Sequence, residues 1–171
     1  NLDLSEKKYR EIIRCKTALL FEAATHSAAL LSCPNETEKP MLDDLRKFGL
    51  HFGVAYQLID DWLDYAGDSG AMGKNTGDDL AEGKMTLPLI LALQNATKRE
   101  QACLSNAIRN RSASEATRVV EIVNNSGALE LTRKSAMEEI QRARETLRHI
   151  ESSVYKSHLE TLTEYSLKRL R

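Results

Sequence analysis

Apolar residues recur at intervals of three, four and seven through nearly the whole chain, and no stretch alternates apolar with polar long enough to make a strand. The pattern predicts an all-α fold, and 171 residues suffice for one domain with a sizeable core. A first helix is expected over about 5–32, with Tyr9, Ile12, Ile13, Cys15, Leu19, Leu20, Ala23 and Ala24 as its apolar side. Asp3 and Glu6 resemble a capping box at its start, and Cys33-Pro34-Asn35 ends it. A second helix over 41–66 stops at the glycines 67, 70 and 73, which open a Gly-rich, charge-dense loop reaching to Gly83. A third should begin near 84–88 with Pro88 in its first turn and run to about Asn95. Amphipathic helices follow over 98–110, 114–125, 128–150 and 152–170, with Asn-Asn-Ser-Gly at one break.

Charge and cysteine usage narrow the possible functions. With 24 basic against 25 acidic side chains, the net charge of -1 gives no global attraction to nucleic acid or an anionic membrane. Cys15, Cys33 and Cys103 form no CxxC pair, so a reduced compartment, the cytoplasm, is expected in preference to a disulfide framework or zinc site. No apolar run approaches the roughly 20 residues of a membrane span, so a soluble chain is expected. His26, His51, His149 and His158 lack metal-ligand spacing.

Against this background GVAYQLIDDWLD, residues 53–64, stands out by placing three carboxylates in an apolar helix. At 100° per residue Gln57, Asp60, Asp61 and Asp64 share one face over about 10 Å of axis. Leu45, Phe48, Phe52, Ala55, Ile59 and Leu63 take the sector expected to face the core. Gly49 and Gly53 lie on the acidic side, where they leave room for a ligand or permit close helix packing. A solvated face is the ordinary meaning of charge on a helix, yet no Lys or Arg stands three or four residues from these acids to pair with them. Hard oxygen donors suit Mg²⁺, which uses one or two carboxylates, water and substrate phosphate.

A metal-bound diphosphate would need further cations to neutralise it. Lys16-Thr17 in the first helix, Lys74 after Gly73, and Lys84 at the end of the Gly-rich loop are the candidates, although a lysine taken alone is more often a solvated surface residue. Asp78 and Asp79 could hold the lysines, support the metal shell or cap a helical turn.

Three stretches together resemble the trans-isoprenyl diphosphate synthases, in particular the long-chain, octaprenyl type: YREIIRCKTALLFEAA at 9–24, FGLHFGVAYQLIDDWLDY at 48–65 and MGKNTGDDLAEGKMTLPLILAL at 72–93. The resemblance implies an all-α helical bundle of the isoprenoid synthase type around a deep cavity, with two aspartate-rich motifs facing each other. This sequence carries the second motif, while Asp43-Asp44 and Asp78-Asp79 lack the spacing of the first. Residues 1–171 therefore look like the C-terminal half of such a synthase domain, inactive and prone to association when alone. By the same resemblance, Asp60, Asp61 and Asp64 serve Mg²⁺, with Asp60 the foremost direct ligand. Lys16, Thr17, Gln57, Lys74 and Lys84 contact the allylic diphosphate, and Asp60, Asp61 and Lys16 carry the catalysis. Tyr56 stands where the family commonly has Phe.

The implied reaction extends an allylic prenyl diphosphate with isopentenyl diphosphate, inside dry walls that protect a carbocation, in an enzyme that is a homodimer when complete. A non-catalytic partner subunit of a heteromeric synthase, a terpene cyclase and an unrelated helical interaction domain are the alternatives. The intact acids and lysines argue against a scaffold, and the GxxxQLIDDxLD and GKNTGDDLAEGK pair resembles elongating synthases more than cyclases.

Overall fold

The computed structural model describes residues 2–32, 39–66 and 78–170, and among these every regular element is helical. The elements are α1 (Glu6–Ile13), a π-helical turn (Arg14–Ala18), α2 (Leu19–Ser32), α3 (Lys39–Ala66), α4 (Asp78–Glu82), α5 (Leu87–Asn95), α6 (Lys98–Asn110), α7 (Ala116–Asn125), α8 (Ala128–Thr146) and α9 (Val154–Lys168). Short 3-10 turns precede α7 and follow α8. The expected helix end at Cys33-Pro34-Asn35 and the first part of the Gly-rich loop lie outside the described residues. No described helix is long and apolar enough to cross a membrane.

The chain forms two compact units, one from Asn1–Tyr9 with Asp60–Lys134 and the other from Arg10–Ile59 with Ser135–Arg171. In the first, α5 is apolar all round and buries Leu87, Pro88, Leu89, Ile90 and Ala92, the mark of a helix enclosed by its neighbours. Leu104, Ala107 and Ile108 of α6 and Val119, Ile122 and Val123 of α7 complete that core with Tyr65 and Leu80. In the second unit, Phe48, Phe52 and Ala55 of α3 pack with Ile140, Ala143 and Leu147. Phe48 and Phe52 stack at 5.7 Å between centroids, and Phe21 meets Phe52 edge-on at 5.6 Å.

The first helix departs from the even amphipathic rod that its sequence suggests. Tyr9, Ile13, Ala18 and Ala29 are its buried apolar residues, whereas Ile12, Cys15, Leu19 and Leu20 are exposed. The step from Ile13 to Ala18 is five residues, and the π turn absorbs the extra one: the Leu19 N–H donates to the carbonyl of Arg14, five positions back. A strict 3.6-residue projection cannot follow the buried stripe across such a turn. The start of α1 also differs, since Ser5 accepts a hydrogen bond from the Lys8 N–H at 3.2 Å and takes the capping place expected of Asp3.

Candidate functional site

The last two turns of α3 carry Asp60, Asp61 and Asp64. Asp61 and Asp64 are buried and Asp60 is half-buried, so this is no solvated face. Their partners come from distant segments. The hydroxyl of Tyr9, itself buried, donates to Asp61 Oδ2. The backbone N–H of Asp79, in the first turn of α4, donates to Asp64 Oδ2 at 3.3 Å. Phenol and amide donors of this kind favour the ionised carboxylate and fix its direction.

Asp79 also uses its side chain, which accepts from Lys84 Nζ at 3.2 Å, and Lys84 pairs with Glu82 at 2.5 Å. The geometry depends on Gly83, whose φ of 71° is left-handed and turns the chain so that the Lys84 N–H bonds back to the Asp79 carbonyl at 2.8 Å. Burial pushes the Asp79 carboxyl above its usual range, and Lys84 opposes the shift. The hydrogen bond to Glu82, joined by that to Asp79, holds the Lys84 ammonium above its ordinary range. Of the roles open to Asp79, holding a loop lysine is the one its side chain fills. Burial likewise raises the Tyr65 phenol, and the charges of Asp64, Asp79 and Asp61 add to the shift.

A second polar group lies in the other unit. Thr17, in the π turn, donates from Oγ1 to Gln57 Oε1 at 2.8 Å. Lys16 beside it is exposed. Both glycines of α3 serve close packing in place of an open ligand face. A Cβ at Gly53 would lie 2.6 Å from Ala18 Cα, and one at Gly49 would lie 2.5 Å from the Phe21 carbonyl oxygen and collide with Thr25 Oγ1. Tyr56 is exposed on one edge, 5.5 Å from the Phe21 ring and under the Arg169 guanidinium at 5.7 Å.

The predicted residues thus fall into two clusters, Asp60, Asp61, Asp64 and Lys84 in one unit and Lys16, Thr17 and Gln57 in the other; Lys74 lies outside the described residues. Sequence reasoning missed Tyr9 and the amide of Asp79, because a tyrosine 52 residues before its partner carries no local signal. Among the described residues no three or more His, Cys, Asp or Glu side chains gather as a metal cage. The donor set is nevertheless hard oxygen, and Asp60 and its neighbours suit a cation that draws most of its shell from water and phosphate, as Mg²⁺ does.

The family model described as Polyprenyl synthetase matches residues 1–125. An all-trans-nonaprenyl-diphosphate synthase (geranyl-diphosphate specific) of Rhodobacter capsulatus is 44% identical over 169 residues, covering 99% of this chain and 51% of that protein. The octaprenyl diphosphate synthase of Escherichia coli is 38% identical over 171 residues, covering 99% of this chain and 52% of its own length. The chain thus spans about half the length of the curated relatives it matches. A crystal structure of a polyprenyl synthase from Caulobacter crescentus, complexed with calcium and isoprenyl diphosphate, superimposes with a TM-score of 0.88 at 37% identity, covering all of this chain and 52% of that one.

Proposed function

Because the chain belongs to the polyprenyl synthetase family, we propose that it carries the second aspartate-rich portion of a trans-prenyltransferase that lengthens an allylic diphosphate with isopentenyl diphosphate. The observation that carries this reading is the group of three carboxylates within five positions at the end of α3, two of them buried. Burying carboxylates is costly unless charge and hydrogen bonds compensate, and a cation with a diphosphate would supply that compensation.

In this reading Asp60, Asp61 and Asp64 hold Mg²⁺, while Tyr9 and the Asp79 amide keep the last two in place. When bound, Mg²⁺ supplies positive charge to the departing diphosphate. Lys16, Thr17, Gln57, Lys74 and Lys84 contact that diphosphate as the allylic C–O bond breaks. The isopentenyl double bond then attacks the allylic carbon, and loss of a proton restores a double bond in the longer chain. Turnover in this reading also requires a first aspartate-rich motif, and the complete enzyme is a cytoplasmic homodimer.

The test is incorporation of labelled isopentenyl diphosphate by the intact protein with an allylic primer. Asp60→Ala and Asp61→Ala should each lower turnover by about 10²-fold or more, the scale of losing a principal electrostatic group at a reacting centre. Full turnover in both variants would overturn the assignment.

A further inference from the structure

Two helices of the first unit, α4 and α6, stop in the same way. At the end of α4 the Gly83 N–H donates to the Leu80 carbonyl at 3.0 Å and the Lys84 N–H to the Asp79 carbonyl at 2.8 Å. At the end of α6 the Arg111 N–H donates to the Ile108 carbonyl at 3.4 Å and the Ser112 N–H to the Ala107 carbonyl at 3.1 Å. Both pairs follow the Schellman pattern, in which the residue just past the helix is left-handed and ordinarily glycine. Gly83 (φ 71°) obeys that preference, whereas Arg111 (φ 49°) is the one non-glycine residue with positive φ among the described residues. A Cβ strains this conformation and glycine does not. The helix stop alone therefore gives no reason for an arginine.

The side chain of Arg111 lies across the other stop. A Cβ built on Gly83 would stand 2.8 Å from Arg111 Nε and 3.4 Å from its Cδ and Cγ, so the arginine covers the bare face of the turn that carries Lys84. Arg111 is exposed, and among the described residues its guanidinium has no carboxylate partner, so neither core burial nor an ion pair offsets the strain. Its neighbour on the turn is placed quite differently, since Asp79 and Glu82 both hold the Lys84 ammonium. Strained backbone that persists without a stabilising contact of its own is a mark of a functional constraint.

We infer that Arg111 is a positioning residue for Lys84: laid across Gly83, it fixes the turn so that the Lys84 ammonium stays on the side of Asp79, whose amide holds Asp64. The inference rests on the reading of Lys84 as a diphosphate contact, and the two can fail separately.

The experiment uses the intact protein as four chains: the parent, Arg111→Gly, Lys84→Met and the double variant. Thermal unfolding and calorimetric binding of inorganic pyrophosphate with Mg²⁺ are read for each. Arg111→Gly relieves the left-handed backbone, so Tm should stay at the parental value or rise by up to about 4 °C. Pyrophosphate affinity should nevertheless fall about fivefold or more, the opposite sign to the stability change. With Lys84→Met already in place, Arg111→Gly should weaken pyrophosphate by less than about twofold, because a positioning residue then has nothing to position. Parental affinity in Arg111→Gly overturns the inference, and so does the same loss with and without Lys84, which would make Arg111 act independently. A Tm lowered by more than about 4 °C in Arg111→Gly also overturns it, since the arginine would then serve the fold. Lys84→Met that binds pyrophosphate like the parent overturns the diphosphate reading of Lys84 and the positioning role with it, whereas weakened Lys84→Met beside an unaffected Arg111→Gly sinks the positioning role alone.

Discussion

The Tyr9 hydroxyl donates to Asp61 Oδ2 across 52 residues of sequence, and both side chains are buried. A hydrogen bond to a buried carboxylate contributes about 1.5–3 kcal/mol, more than a neutral one, because the acceptor cannot return to water when the donor is lost. Tyr9→Phe keeps the ring and removes only the donor. It should destabilise the protein by about 2 kcal/mol in urea unfolding with an unchanged m-value. An unchanged midpoint would mean that Asp61 is held by other groups.

Gly53 and Gly49 give a prediction whose sign separates packing from propensity. In an exposed helix interior, Gly→Ala is stabilising by about 1 kcal/mol. Here the new methyl at Gly53 would stand 2.6 Å from Ala18 Cα, a backbone atom that cannot rotate away. Gly53→Ala should therefore destabilise by about 1–3 kcal/mol, the range for overpacking a close contact. Differential scanning calorimetry of the variant would show the sign directly.

How far these features could be read in advance depends on the range of the interaction that makes them. Periodicity reported the helices because it is local: α6 begins and ends at Lys98 and Asn110, as the spacing predicts. Leu58 and Tyr65 were missed as core residues of α3, since a long helix that carries residues of two units buries more than one face along its length. The acidic stripe was legible as an anomaly, because three carboxylates without helical counter-charges violate a short-range rule. Its supports were illegible, because Tyr9 and the Asp79 amide meet it only through the fold. The π turn left a trace in the spacing of Ile13 and Ala18, but the neighbouring exposed residues Leu19 and Leu20 supply a regular alternative that the eye takes first.

Glu139 predicts a pH dependence away from the candidate site. Its carboxylate accepts from His51 Nδ1 at 2.8 Å and from Arg142 Nη1 at 2.7 Å, with Arg10 Nη1 at 3.8 Å. Burial pushes this carboxyl upward, but the His51 hydrogen bond and the charges of Arg142, His51 and Arg10 outweigh it and hold the group below its ordinary 4.5. A carboxyl lowered on folding stabilises fully above that ordinary value, and the contribution fades as pH falls below it. Parent and Glu139→Gln should thus differ most in unfolding free energy above the ordinary carboxyl range and draw together as pH falls below it. A constant difference across that range would show that the ionisation of Glu139 contributes nothing.

Thr17 offers a substitution pair that isolates one hydrogen bond. Thr17→Val matches the side-chain shape but removes the hydroxyl, so the Gln57 carbonyl oxygen loses the donor now 2.8 Å away. Thr17→Ser removes a methyl and keeps the hydroxyl. Because the pair is only partly buried, the stability cost of Thr17→Val should be about 1 kcal/mol, and that of Thr17→Ser smaller. If Gln57 binds diphosphate in the orientation that Thr17 sets, KM for the allylic substrate should rise several-fold in Thr17→Val with little change in kcat, and Thr17→Ser should restore it. Equal KM values in the two variants would show that the bond steadies the helices without orienting Gln57 for a ligand.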